Sequence, residues 1–113
     1  MTRTRVAATA DLKAGGLRRV EADGIAMCLV HAIDGNFYCV DDQCSHEQES
    51  LSEGFVLDLE IECQAHGSLF DLRTGAVRGV PATEPVRTYP VTVVNGDVFV
   101  DLPPSPDAGT GAR

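Results

Sequence analysis

The chain has 113 residues, which is enough for one domain with a small hydrophobic core. Its net charge of −8 argues against nucleic acid as a partner, because neutralising phosphates requires an excess of Lys and Arg. The longest apolar-rich stretch, residues 25–33, is interrupted by His31 and is too short to cross a bilayer, and residues 1–10 lack the apolar core of a signal peptide. We therefore expect a cytoplasmic protein that binds neither nucleic acid nor membrane.

The first half of the chain predicts antiparallel strands. Val6-Ala7-Ala8 is a candidate edge strand, and Asp23-Gly24 is a hairpin turn that leads into residues 25–33. That run is apolar without alternation, which is typical of a strand buried on both faces. A turn at Asp34-Gly35-Asn36 then returns the chain along residues 37–40.

The second half continues in the same way. Residues 54–58 and 59–63 form a predicted hairpin, residues 69–71 a short strand, and residues 77–85 an irregular loop. The clearest hairpin pairs residues 88–94 with residues 98–101 across Asn95-Gly96-Asp97. Turn signals at intervals of about eight to twelve residues, without a helical period, predict an all-β sandwich or barrel.

Two of the four cysteines, Cys28 and Cys39, lie in apolar strand-like runs. A two-residue turn at Asp34-Gly35 would place Cys39 opposite Val30 and Cys28 opposite Asp41. Because the two thiols are then not directly opposed, we interpret both as small buried hydrophobic residues rather than as a disulfide.

The other two cysteines belong to short motifs that each pair a thiol with an imidazole. Cys44 and His46 are separated by one residue, Cys63 and His66 by two, and sixteen residues lie between the motifs. Four such donors from two loops suit a tetrahedral zinc site. They equally suit a [2Fe–2S] cluster in which two cysteines hold one iron and two histidines hold the other.

The surrounding segments resemble a known family. Gly67-Ser68-Leu69-Phe70-Asp71 follows the second motif, and the chain also contains Leu51-Ser52-Glu53-Gly54, Asp71-Leu72-Arg73-Thr74-Gly75 and Pro81-Ala82-Thr83-Glu84-Pro85. Together with the paired motifs, these segments resemble Rieske proteins, and most closely the soluble Rieske ferredoxins of bacterial aromatic-ring dioxygenase systems. The likeness extends over roughly residues 4–102.

This resemblance implies a Rieske domain over residues 1–102, with an antiparallel β base and a small cluster-binding subdomain at about residues 43–70. Residues 103–113, rich in Pro, Gly, Ser and Ala, are predicted to be a disordered tail. One [2Fe–2S] cluster per chain would be held by Cys44, His46, Cys63 and His66. Its expected surroundings are a set of four further residues: Gly67, Ser68, Phe70 and Pro81.

The implied function is that of a one-electron carrier and not of an enzyme. A monomeric chain would take electrons from a flavin-dependent ferredoxin reductase that oxidises NAD(P)H and pass them to a terminal oxygenase. Surface acids beside the first motif, Glu47 and Glu49, are candidates for steering that docking.

The ligand set also predicts the range of the reduction potential. Replacing two thiolates by neutral imidazoles removes negative charge, which raises the potential into roughly −150 to +300 mV. We expect a value in the lower part of this range. High-potential Rieske proteins carry a loop disulfide where this chain has Glu49 and Ala65, and a tyrosine where it has Phe70.

Three other functions compete with that of an electron carrier. An oxygenase with its own mononuclear iron needs two more histidines, but only His31 remains, and we expect this residue to be a satisfied core or edge histidine. The small subunit of an assimilatory nitrite reductase would share the fold, although many such subunits lack the ligands. A zinc-stabilised binding module is the third alternative.

Overall fold

The computed structural model describes residues 2–44, 50–64, 67–79 and 84–102. Within these residues the chain forms eleven β-strands and two short 3-10 turns, at Thr9–Asp11 and Leu51–Glu53. The strands, in chain order, are β1 (Thr2–Ala8), β2 (Leu17–Ala22), β3 (Ile25–His31), β4 (Phe37–Asp41), β5 (Phe55–Leu57), β6 (Glu60–Glu62), β7 (Leu69–Asp71), β8 (Val77–Gly79), β9 (Thr88–Tyr89), β10 (Val91–Val94) and β11 (Asp97–Leu102).

The strands form three sheets, ordered β1-β11-β10, β2-β3-β4-β9 and β5-β6-β7-β8. Every pairing between these strands is antiparallel, which confirms the all-β prediction. We refer to the first two sheets as the base. No helix among the described residues is long and apolar enough to span a membrane.

Strand β3 explains how the layers are joined. Met27 and Leu29 pack with Val98 and residues of the first sheet in one hydrophobic cluster. Cys28 and Val30 point to the other face, into a cluster that contains residues of the third sheet. Since neighbouring residues of a strand face opposite sides, a strand covered on both faces must be continuously apolar, as the sequence indicated.

The hairpins predicted at Asp23-Gly24 and at Asn95-Gly96-Asp97 are confirmed, although Asp97 belongs to β11 and the second turn has two residues. Asp23 and Gly24 join β2 to β3 with φ values of 51° and 77°. Asn95 and Gly96 join β10 to β11 with φ values of 51° and 83°, the left-handed geometry that favours Asn, Asp and Gly.

The predicted register between β3 and β4 is wrong by one residue. Cys28 lies opposite Val40, and Cys39 lies opposite Leu29. The reason is a longer turn, in which the Ala32 amide donates to the Asn36 carbonyl and the Gly35 amide to the Ala32 carbonyl. The two cysteines consequently face opposite sides of the sheet.

Two further segments differ from the prediction. Val77–Gly79, expected within an irregular loop, is strand β8 and pairs with β7, because Val77 packs inward beside Phe70. The predicted strand over residues 88–94 is divided at Pro90. Thr88–Tyr89 pairs with β4, whereas Val91–Val94 pairs with β11. A proline cannot donate to a strand ladder, which is why the chain changes sheets there.

Candidate metal centre

Cys44 lies three residues beyond β4 and is 2% exposed. The loop that it begins is closed at its base by an antiparallel bridge between Gln43 and Ser50. The Leu51 amide donates to the Asp42 carbonyl just below this bridge, and the Ser52 amide donates to Asp42 Oδ1 at 2.9 Å. The end of a base strand therefore fixes where this thiol stands.

Cys63 follows β6 directly and is 1% exposed. Its amide donates to the Ser68 carbonyl at 2.8 Å, and its carbonyl accepts the Gly67 amide at 3.0 Å. Gly67 has φ +78°, so glycine suits this turn for conformational reasons. The hairpin of β6 and β7 holds the second thiol within a tight loop, and we call the sheet β5–β8 the ligand sheet.

Gly54 brings the two ligand-bearing segments together. It follows the turn Leu51–Glu53, which ends the first loop, and a Cβ atom at this position would overlap the carbonyl oxygen of Glu62. Glu62 is the residue immediately before Cys63. The close approach of these two backbones thus sets the spacing between the loops, and only glycine permits it.

The two thiols share one apolar environment. Cys44, Cys63 and Phe70 belong to one cluster of buried residues, so both sulfurs stand at an apolar wall on loops that leave rigid strands. All four cysteines, which the structure describes, are thiols rather than disulfides. Soft thiolates in such surroundings suit an iron–sulfur cluster or zinc. His46, His66 and Pro81 lie outside the described residues.

The remaining cysteines are unsuited to ligation. Burial raises the pKa of Cys39 to about 12 and raises that of Cys28 further, so both stay protonated at neutral pH. Both are fully buried in the interior of base strands, as expected for small hydrophobic residues. His31 is also structural, because its Nδ1 lies 2.8 Å from the Leu12 carbonyl oxygen and its ring stacks on Phe37.

Ser68 and Phe70 were predicted to surround the centre, and both are buried. Phe70 lies on the inner face of β7, opposite Ile61 of β6 and Val77 of β8. The Ser68 carbonyl closes the second loop through its bond with Cys63. The structure therefore places both residues at the wall that also contains a candidate thiol ligand.

Asp71 has a role that the sequence did not reveal. This carboxylate is 1% exposed and accepts hydrogen bonds from the Arg73 amide at 2.7 Å, the Arg73 guanidinium at 3.1 Å and the Arg78 guanidinium at 3.0 Å. The Arg73 guanidinium, followed by that of Arg78, holds the pKa of Asp71 well below its usual range. The carboxylate stabilises the turn between β7 and β8, and the motif Asp-Leu-Arg-Thr-Gly indicated the turn but not Arg78.

Comparison with known families identifies the family of the chain. The Rieske [2Fe–2S] domain matches residues 2–90, which is most of the chain. The chain belongs to the Rieske [2Fe–2S] family. Membership of this family supports an iron–sulfur cluster rather than zinc.

Its relatives include small Rieske ferredoxins. The 3-phenylpropionate/cinnamic acid dioxygenase ferredoxin subunit of Escherichia coli K12 is 38% identical, over 91% of this chain and 96% of the relative. The ferredoxin of carbazole 1,9a-dioxygenase from Nocardioides aromaticivorans IC177 is 36% identical, with a TM-score of 0.84, over 88% of this chain and 97% of that one. A chain in a complex of reduced oxygenase and oxidised ferredoxin in carbazole 1,9a-dioxygenase is 34% identical, with a TM-score of 0.81, over 87% and 91%.

These comparisons confirm the predicted Rieske fold and the prediction of a ferredoxin, an electron-transfer component rather than a catalytic enzyme. The nitrite reductase alternative has less support. A putative small subunit of that class from Mycobacterium tuberculosis has a TM-score of 0.79 but is 24% identical, and shares the fold alone.

Proposed function

We propose that this Rieske ferredoxin carries single electrons from a flavin-dependent ferredoxin reductase, which oxidises NAD(P)H, to the terminal oxygenase of an aromatic-ring dioxygenase system. The observation that carries the proposal is the pair of buried thiols, Cys44 and Cys63, on two loops that one backbone contact holds together. Two of the ferredoxins that the chain matches over most of its length are named as components of such systems.

The proposed ligands are Cys44, His46, Cys63 and His66, holding one [2Fe–2S] cluster per chain. When bound, the cluster supplies a site that gains and loses one electron without forming or breaking a bond to a substrate. The chain contributes thiols already desolvated in an apolar wall, so water is excluded on the cysteine side. Gly67, Ser68, Phe70 and Pro81 are proposed as the surroundings of this site.

The proposed domain organisation follows from the same reasoning. Residues 1–102 would form the Rieske domain, with a cluster-binding subdomain at about residues 43–70. Residues 103–113, which lie outside the described residues, remain a predicted disordered tail. We propose a cytoplasmic, monomeric protein, in keeping with a carrier that exchanges between two partners.

The cluster can be tested directly on the purified protein. We expect about two irons and two acid-labile sulfides per chain, and after dithionite reduction an EPR signal whose average g value is lower than that of all-cysteine clusters. Replacing His46 or His66 by Ala should abolish the signal, whereas His31→Ala should retain it because His31 bonds to Leu12. A colourless protein with stoichiometric zinc would refute the proposal and favour a zinc module.

The reduction potential provides a second measurement. Phe70 offers no hydroxyl to a sulfur, and hydrogen bonds to sulfur raise the potential of such clusters. We therefore expect protein-film voltammetry to place this protein in the lower part of the range from roughly −150 to +300 mV. A value near the top of that range would contradict this expectation.

The acidic surface is proposed to steer docking to basic patches on the partners, consistent with a net charge of −8. Reversing the charges with Glu47→Lys and Glu49→Lys should lower the rate of reduction by the reductase severalfold and reduce the salt dependence of that rate. Asp23→Lys, in the exposed turn between β2 and β3, is the matched control. Equal rates and equal salt dependence in the Glu variants and the control would contradict the steering role.

A further inference from the structure

An ion pair between a buried carboxylate and a half-exposed guanidinium lies next to the first ligand loop. Asp42 is 3% exposed, two residues before Cys44, and stands between the end of β4 and the turn Leu51–Glu53. Its backbone is fixed on both sides, because its amide donates to the Ala26 carbonyl at 3.1 Å and its carbonyl accepts the Leu51 amide. Its side chain is thus held at one place relative to Cys44.

The carboxylate of Asp42 divides its two oxygens between two elements. Oδ1 accepts the Ser52 amide at 2.9 Å, which ties down the segment that returns from the loop. Oδ2 lies 3.4 Å from Nε of Arg19, on strand β2 of the base. The same guanidinium also contacts Glu21 at 2.8 Å, so it is anchored on its own strand.

A buried carboxylate is costly unless a charge and hydrogen bonds compensate it. Asp42 has both, whereas a simple loop closure would need only the backbone bridge between Gln43 and Ser50. Asp42 thus places a buried, weakly screened negative charge two residues before a candidate ligand, with the positive charge of a half-exposed arginine beside it.

We infer that Asp42 and Arg19 form a positioning pair that fixes the first ligand loop and balances the electrostatic potential at Cys44. This inference rests on the proposed function, since it concerns the cluster that Cys44 would hold. Asp42 fixes the position of the loop through its hydrogen bond with the Ser52 amide. Arg19 offsets the negative charge of Asp42 next to the loop. The base thereby influences how readily the ferredoxin accepts an electron.

Removing each charge in turn should shift the potential in opposite directions. Asp42→Asn keeps an oxygen for the Ser52 amide but removes a buried negative charge close to Cys44, which favours addition of an electron and shifts the potential upward. Arg19→Gln leaves the Asp42 charge uncompensated and shifts the potential downward. Arg19→Lys keeps the positive charge, so its reduction potential should lie close to that of the wild type. A loop that was merely loosened would not give shifts of opposite sign.

The test uses holoprotein, protein-film voltammetry and a matched control. Arg18 is the neighbour of Arg19 on β2 and is similarly exposed, but it pairs with exposed Asp11 at 3.5 Å, so Arg18→Gln removes the same charge without leaving a buried carboxylate unpaired. We expect the shift of Arg19→Gln to exceed that of Arg18→Gln, because only the former removes the partner of a buried carboxylate. Shifts of the same sign in Asp42→Asn and Arg19→Gln, or an Arg19→Gln shift no larger than the control, would overturn the inference.

Hydrogen exchange gives a readout that does not depend on electron transfer. Asp42→Ala removes the acceptor for Ser52 and should speed exchange of the Ser52 amide, whereas Asp42→Asn should leave it protected. Equal protection in both variants would overturn the positioning role, and if Asp42→Ala does not fold, the Arg19 variants still decide the electrostatic role. Absence of iron and sulfide from the wild-type protein would instead refute the proposed function, and the exchange measurement would still test the positioning.

Discussion

The base and the ligand sheet are stabilised in different ways. The base contains strands of up to seven residues joined by short turns, and its core alternates regularly along β11, where Val98, Val100 and Leu102 point inward. The four strands of the ligand sheet have three residues each. Such short strands form few ladder bonds and depend on other contacts. The ligand sheet is therefore stabilised by a few specific contacts, whereas the base is stabilised by a repeated pattern of buried residues.

The largest effect on stability should come from Gly54→Ala, which adds a methyl group where the backbone of the ligand sheet meets the first loop. A methyl group there overlaps the Glu62 carbonyl, so we expect a loss of about 3 kcal/mol of stability and of most of the bound iron. Gly35→Ala is the control, because Gly35 has φ +90° but open space around it, and strain alone costs about 1 kcal/mol. Thermal unfolding and iron analysis check both. Equal losses in the two variants would show that the backbone contact is unimportant.

The next effect should come from Asp71→Asn, which removes the buried carboxylate of the ligand sheet. Losing one partner of a buried pair costs about 3–5 kcal/mol, but both guanidinium groups are half exposed, so we expect about 2 kcal/mol at pH 7. Asp101→Asn removes an exposed partner of Arg3 in the base and should change stability by less than about 1 kcal/mol. Thermal unfolding of both variants measures the difference.

Asp71 also predicts a pH dependence. Its pKa is lowered in the folded protein, so its stabilising contribution is complete above the unfolded value of about 4 and is lost as the pH falls through the folded value. The melting temperature of the wild type should therefore fall more steeply below about pH 4 than that of Asp71→Asn. Parallel curves for the two proteins would argue against a charged, paired Asp71.

The smallest effects on stability should come from replacing the two buried cysteines, which lie on opposite faces of the β3–β4 pair. Cys28→Ser and Cys39→Ser each place a hydroxyl where a buried thiol stood, at a cost of about 1–2 kcal/mol. Cys28 shares its cluster with Cys44 and Cys63, whereas Cys39 faces the base core. Only Cys28→Ser should therefore change the EPR g values. An equal spectral change in Cys39→Ser would contradict the assignment of the two faces.

The sequence predicted those features that depend on neighbouring residues. Asp23-Gly24 and Asn95-Gly96 predict turns because left-handed backbone geometry favours these residue types. The apolar run of β3 likewise indicates burial on both faces. The register of β3 against β4 was missed, because the five-residue turn depends on hydrogen bonds between Ala32, Gly35 and Asn36 that composition does not encode.

The candidate site shows the same limit. Cys44 and Cys63 were identified because their motifs are specific, but Asp42 and Gly54 were not assigned roles. Asp42 meets Arg19 across 23 positions of sequence, and Gly54 meets Glu62 across a strand pair. An acidic residue after an apolar strand and a glycine after a turn are common patterns, so their importance emerges only when the distant partner is in place.

The sharing of β3 between two cores has a consequence for how the molecule opens. Among the described residues, the core behind Met27 and Leu29 is built entirely from the base, whereas the core around Ile61 and Phe70 borrows Cys28, Val30 and Val40 from it. Part of the core beneath β5–β8 is thus supplied by the base, so we expect the amides of β5–β8 to exchange through local opening before those of the base do.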